Sequence, residues 1–221
     1  MVPGVRLVVL GKQGAGKGTQ CGRLSVHYVV PHISTGDLFR LAVKEGTEAG
    51  QLLSGYMQKG ELVPDDVTTE VVRERLSQPD ASERGFILDG YPRTATQAES
   101  LSKLLAPEDV DLAIDLEIPR EEALVRIASR RVCQECGTIY SALRRDESDP
   151  CELCGGVVQQ RADDTYEAIE RRLDLYEQDT EPLITHYLGR DMLVTIDALG
   201  TEDEVTARLV RAIDHRRSLR R

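Results

Sequence analysis

Short, nearly continuous apolar runs alternate along this chain with longer stretches of helical period. Arg6 to Leu10 reads as a buried strand ending at a glycine, and Gly16 to His27 follows as a helix. His32 to Ser34 is a brief strand, with helical patterns around Asp37 to Lys44 and Glu48 to Gln58. Pro64 ahead of Asp65 and Asp66 marks a helix start, and Val67, Val71, Val72 and Leu76 supply its apolar face. Phe86 to Leu88 is a strand, Thr94 to Leu105 a helix and Leu112 to Ile118 another strand. Glu121 to Arg130 is read as a helix buried through Ala123, Leu124 and Ile127. The period then fails from Cys133 to Gln160, a stretch rich in Gly, Cys, Asp and Ser. A long helix from Asp164 to Asp179, a strand from Met192 to Ile196 and a helix from Thr201 to Arg217 complete the pattern. Strand and helix in alternation predict an α/β fold, a parallel sheet covered on both faces, with the cysteine segment as an excursion from it.

Composition narrows what such a fold does. No apolar run approaches the roughly 20 residues that span a bilayer. Met1 to Gly4 lead into Leu7 to Leu10 without the charged region and cleavage site of an export signal, so a cytoplasmic protein with no membrane partner is expected. The net charge of -10 argues against nucleic acid as the main partner. Positive charge is nonetheless concentrated, with three arginines between Arg126 and Arg131 and two more at Arg171 and Arg172. Local positive charge in an acidic protein points to a small anionic ligand. The basic tail from His215 to Arg221 is read as a solvated chain end.

Cys21 stands alone in a helix and is read as a packing residue, whereas Cys133, Cys136, Cys151 and Cys154 form two CxxC knuckles. Two knuckles complete a thiolate tetrahedron around zinc with no open position, so a structural metal is expected. Gly137, Gly155 and Gly156 suit the knuckle turns.

The first strand runs into Gly11-Lys12-Gln13-Gly14-Ala15-Gly16-Lys17-Gly18-Thr19. A glycine-rich turn between strand and helix points backbone N–H groups inward as a nest for phosphate oxygens, and Lys17 adds a charge for the β- and γ-phosphates. Gly18 stands where the usual pattern has Ser or Thr directly after the lysine. This variant, ending Gly-Lys-Gly-Thr, resembles the phosphate loop of nucleoside monophosphate kinases, adenylate kinases in particular. The resemblance extends over nearly the whole chain: Ser34-Thr35-Gly36-Asp37-Leu38-Phe39-Arg40, then Lys59 to Asp65, then Phe86-Ile87-Leu88-Asp89-Gly90-Tyr91-Pro92-Arg93-Thr94. Gln13 and Phe39 depart from it, standing where the family usually has proline and a smaller apolar residue.

The resemblance implies a five-stranded parallel P-loop sheet with helices on both faces and two small insertions. The core would comprise residues 1-33, 64-129 and 163-221, with a nucleotide-monophosphate-binding part at 34-63 and a zinc-bearing lid at 130-162. It implies Mg²⁺-ATP plus AMP giving two ADP; a complete sheet with its own lid needs no partner, so a monomer is expected. Gly14, Ala15, Gly16, Lys17, Gly18, Thr19, Arg126 and Arg130 would bind ATP, with Ile139, Tyr140 and the backbone of Gly200 about its adenine. AMP would lie against Thr35, Arg40, Glu61, Leu62, Val63, Gly90, Tyr91, Pro92, Arg93 and Gln97. Arg161 and Arg172 would touch both phosphate chains, so that Lys17, Arg93, Arg130, Arg161 and Arg172 form the catalytic set. Arg40 and Arg93 can fork onto phosphate oxygens in a way lysine cannot. Asp89, ending an apolar strand, is placed to reach a hydrated Mg²⁺ through water. Arg126 and Arg130, four apart, are expected on one helical face. Asp163 and Asp164 are expected to pair with lid or hinge arginines.

Two other readings compete. A kinase using UMP or CMP as acceptor, or GTP as donor, shares most of these motifs, and Thr35, Gln97 and the long lid favour AMP. A zinc-ribbon nucleic-acid-binding ATPase would also use the knuckles, but no Trp and only 2 Phe leave little to stack bases.

Overall fold

A computed structural model describes residues 4-46, 48-142 and 149-219. Met1 to Pro3, residues 143-148 of the cysteine-rich stretch, and Arg220 and Arg221 of the basic tail lie outside the described residues.

β1 (Arg6–Gly11) is the centre of the molecule because its apolar residues are buried on both faces. Successive side chains alternate across a strand, so Leu7 and Val9 enter one core while Val8 and Leu10 enter the other. β2 (His32–Ser34), β3 (Phe86–Asp89), β4 (Leu112–Glu117) and β8 (Leu193–Asp197) complete a sheet in the order β2-β3-β1-β4-β8. Every pairing is parallel, with Val8 opposite Leu88 on one side and Ala113 on the other. Burying each such aliphatic side chain contributes about 1.5–3 kcal/mol.

One face is covered by α1 (Lys17–Tyr28), α7 (Arg120–Ala128), α8 (Tyr166–Leu175) and α10 (Glu202–Leu219), through Leu24, Ile127, Leu173 and Leu209. The other is covered by α4 (Asp65–Leu76), α5 (Pro79–Ser82), α6 (Ala95–Leu105) and α9 (Pro182–Leu188), through Val72, Ala81, Leu101 and Leu183. The parallel α/β sheet expected from the alternation is therefore the observed fold. α2 (Thr35–Lys44) and α3 (Glu48–Lys59) stand beside the sheet on a small core of Phe39, Leu53 and Val63. Phe39 fills that core, which accounts for its size. The cysteine stretch folds separately as an antiparallel sheet of β6 (Ile139–Ser141), β5 (Arg130–Cys133) and β7 (Val158–Gln159).

Several boundaries differ from the sequence pattern, each for a local reason. α7 ends at Ala128, so Arg130 is not on a helical face with Arg126; it opens β5, paired with Ser141, and belongs to the small sheet. The helix after Asp164 starts only at Tyr166, capped by Thr165, whose side chain accepts from the Ala168 N–H. It then widens into a π-helical turn from Tyr176 to Thr180. In α4 Val67 is exposed and Thr68 is buried instead, its hydroxyl donating to Val63 O at 3.3 Å. The short helices α5 and α9 were too brief or too mixed in polarity to stand out as periods.

Candidate active site

The carboxyl ends of β1 and β3 and the N-terminus of α1 open into a cleft of about 750 Å³. Gly14 and Gly16 take φ values of 88° and 90°, which an L side chain rarely adopts. A Cβ on Gly14 would also meet Ala123 O at 2.7 Å. Gly16 caps α1 without a side-chain hydrogen bond, so the first N–H groups of that helix are left for an anion.

Lys17 lies at the floor, its Nζ donating to the carbonyls of Gly11 at 2.6 Å and Lys12 at 3.0 Å. Burial pulls it down to about 8, against the opposing charge of Asp89 and with help from Arg93 and Arg130. Asp89 sits across the loop: a Cβ on Gly18 would stand 3.7 Å from its Oδ2 and 3.5 Å from Ile139 Cδ1. Burial would raise the Asp89 carboxyl, but the hydrogen bond to His32 at 3.3 Å and the charge of Lys17 outweigh it and keep it below the usual range. An ionised carboxylate beside a phosphate nest fits a hydrated Mg²⁺ held through water. Cys21, His32 and Asp89 offer ligand atoms within 4.8 Å of one another, yet Cys21 is fully buried and its thiol is pushed well up by that burial, in keeping with a packing role.

The rest of the wall is basic. Arg93 donates from Nε to Gly90 O at 2.9 Å, and its own carbonyl accepts from Thr180 Oγ1 at 3.0 Å. Arg40 pairs with Asp37. Arg130 binds Asp164 through Nε at 2.8 Å; Arg172 reaches Asp163 at 2.6 Å and Met57 O at 2.9 Å. The pairing expected of Asp163 and Asp164 is thus observed. Arg161 is lowered to about 10 by burial and by repulsion from Arg130 and Arg40. Its buried Nε has no hydrogen-bond partner among the described residues. This is a basic cluster under electrostatic tension, which an anion would relieve.

Most of the expected site residues line this one cleft: the loop from Gly14 to Thr19, Thr35 and Arg40, Glu61 to Val63, Asp89, Gly90, Pro92, Arg93 and Gln97 on one wall. Arg126, Arg130, Ile139, Tyr140, Arg161, Arg172 and Gly200 complete it. Tyr91 is the exception. It is fully buried and braces Gln97 by donating to its carbonyl at 3.1 Å. Gln97 is itself engaged, its amide nitrogen on Asp65 at 2.7 Å and its oxygen on the Arg93 N–H at 2.7 Å. Arg126 holds the far end by donating to Ala198 O at 3.2 Å. The sequence pattern does not place Asp65, Thr180, Tyr176 and Gln13 at the site: Asp65 reads as a helix start and Gln13 as a departure from the family loop. Thr180 and Tyr176 carry no motif signal in the sequence.

In the small sheet, Cys133 Sγ lies 3.5 Å from Cys154 Sγ, and Cys136 Sγ 3.5 Å from Cys151 Sγ. All four sulfurs fall within 4.8 Å of one another. Zinc–thiolate bonds of about 2.3 Å make a tetrahedron with edges near 3.8 Å, so this set fits zinc. Gly137 and Gly155 turn the knuckles at φ of 74° and 72°. At Gly156 a Cβ would come within 3.0 Å of Cys133 Sγ.

No helix among the described residues is long and apolar enough to cross a membrane. Comparison with known proteins agrees with the geometry. The adenylate kinase family profile matches residues 9–192. An adenylate kinase of Streptomyces avermitilis is 44% identical over 214 residues, covering 95% of this chain and 97% of its own. One from Archaeoglobus fulgidus is 47% identical over 203 residues, covering 90% and 92%. One from Moorella thermoacetica is 45% identical over 213 residues, covering 95% and 98%. With a phosphate nest, a convergent arginine set and matches of this extent, the chain belongs to the adenylate kinase family.

Proposed function

We propose that this protein is a cytoplasmic, monomeric enzyme that transfers a phosphoryl group reversibly from Mg²⁺-bound ATP to AMP, yielding two ADP. The observation that carries this reading is the convergence of Lys17, Arg40, Arg93, Arg130, Arg161 and Arg172 on one cleft beside the phosphate nest. Such chemistry needs positioning and charge stabilisation rather than a protein nucleophile. An oxygen of the AMP phosphate attacks the γ-phosphorus in line, and the bond to the β,γ-bridging oxygen breaks, leaving ADP on each side. The loop from Gly14 to Thr19 and Lys17 cradle the donor phosphates, while Arg40 and Arg93 hold the acceptor phosphate. Arg130, Arg161 and Arg172 reach the transferred group between them. Bound Mg²⁺ would supply charge neutralisation on the donor phosphates, with Asp89 holding its water. Residues 34-63 receive AMP and residues 130-162 act as the lid, closing Ile139 and Tyr140 over the donor base and excluding water. Every group named comes from one chain.

The test compares ADP formation from ATP plus AMP with that from ATP alone. Rapid formation only when AMP is present is expected; equal ADP release without AMP would make the protein a hydrolase instead. Replacing AMP by UMP or CMP, or ATP by GTP, should slow turnover markedly.

Lys17 sets the pH profile. Its ammonium form is the one that attracts phosphate, and in the free protein that form is lost as pH rises through about 8. Above pH 7 nucleotide phosphates no longer titrate, with a second pKa of about 6. kcat/KM for ATP is therefore expected to fall above pH 8, towards tenfold per pH unit, whereas kcat holds to higher pH because bound phosphate raises the lysine. A kcat/KM that stays level to pH 9.5 would contradict this assignment.

Among its described residues the lid carries a small apolar core, Cys133, Cys151 and Val158 with Tyr140 against them. A zinc clip would substitute for that core. One zinc per chain is expected by metal analysis, and chelation should create a low-temperature transition of the lid while the main sheet melts as before. A single melting transition that chelator leaves in place would count against it.

A further inference from the structure

Gln13 stands in the phosphate loop at the position that departs from the family pattern, and it lines the cleft. With its amide oxygen turned toward the neighbouring donors, it accepts from Arg130 Nη2 at 2.8 Å and from Arg172 Nη1 at 3.0 Å. These arginines come from separate elements, one opening β5 in the small sheet and the other near the end of α8 on the main body. Asp164 approaches the same pair, taking Arg130 Nε at 2.8 Å and Arg172 Nη1 at 3.5 Å. Asp163 takes the other side of Arg172 at 2.6 Å, so two carboxylates balance the two arginines and the neutral amide oxygen only aims them. An amide orients guanidinium groups without adding negative charge; a carboxylate at this position would be the third on two arginines and would repel an incoming phosphate.

We infer that Gln13 is a positioning residue. Its side-chain oxygen ties Arg130 and Arg172 to the phosphate loop, so both guanidiniums stand aimed at the transferred group when nucleotide arrives. The inference rests on the phosphoryl-transfer reading above and adds to it a residue that touches the arginines. Preset geometry of this kind acts on the transition state more than on ground-state binding.

Gln13→Met keeps the volume and removes the acceptor. It is expected to lower kcat by about 5- to 10-fold, to leave KM for both nucleotides within about 2-fold, and to leave the melting temperature unchanged. Gln13→Glu keeps an acceptor and adds charge, so it should retain more of kcat than Gln13→Met while raising KM for both nucleotides. In the nucleotide-free protein labelled with ¹⁵N-arginine, the Nε–H signals of Arg130 and Arg172 should shift in Gln13→Met and that of Arg93 should stay. Wild-type kcat in Gln13→Met, a loss that merely follows a lowered melting temperature, Gln13→Glu behaving as Gln13→Met, or unmoved arginine signals would each overturn the inference. If the unsubstituted protein forms no ADP, the reaction reading fails by itself; the arginine signals need no turnover and still decide the role of Gln13.

Discussion

Lys17→Met is expected to lower kcat/KM for ATP by about 10³-fold or more while the melting temperature stays level or rises. The two halves of this result have one cause. A lysine drawn from 10.5 to about 8 holds its proton less tightly in the folded chain than in the unfolded one. Below pH 8 that costs the fold about 3 kcal/mol, and stability from this group rises with pH between 8 and 10.5. Methionine removes that cost, but it also leaves the Gly11 and Lys12 carbonyls without the ammonium donor, about 1 kcal/mol each. The remainder is small and favourable. The charge is therefore kept at the expense of stability, as expected of a group retained for binding phosphate. Initial rates with ATP varied, together with a melting curve at pH 7, check both halves. A large loss of activity accompanied by a large drop in melting temperature would show Lys17 to be a structural residue.

Much of this arrangement could be read from residue order because it depends on local rules. The turn from Gly11 to Thr19 needs positive φ at specific glycines, and the sheet strands are buried on both faces, so both leave plain marks in the chain. The knuckles do as well, since each thiolate pair is set by its own short turn. What escaped depends on contacts made across the fold. The end of α7 at Ala128 is dictated by pairing of Arg130 with Ser141 and by the pull of Asp164, neither of which has a periodic trace. Tyr91 belongs to a motif that otherwise lines the cleft, yet its ring is taken into the core, where its hydroxyl meets Thr69 at 3.1 Å and Gln97 O at 3.1 Å. The support of Arg93 by Thr180 joins residues 87 positions apart and comes from the last residue of the π turn.

That support makes Arg93 the second position where a large effect is expected. Arg93→Ala should lower kcat/KM for AMP by about 10²- to 10³-fold, and Arg93→Lys should restore little of it. Arg93 is fixed at its main chain by the Gln97 amide and by Thr180, and at its side chain by Gly90 O. Burial lowers its pKa, Asp89 opposing and Arg172 and Arg40 adding to the effect, so the group sits in surroundings that magnify its pull on phosphate. A lysine ammonium lacks the planar fork: it can keep the bond to Gly90 O or turn to phosphate, but it cannot present two parallel donors. In the proposed role the same guanidinium binds the acceptor in the ground state and aligns it in transfer, so the defect should appear in KM for AMP as well as in kcat. KM for ATP should change by less than about 3-fold, since the proposal assigns the donor phosphates to the loop and Lys17. Equal changes in KM for both nucleotides would remove Arg93 from the acceptor side and place it between the two phosphate chains.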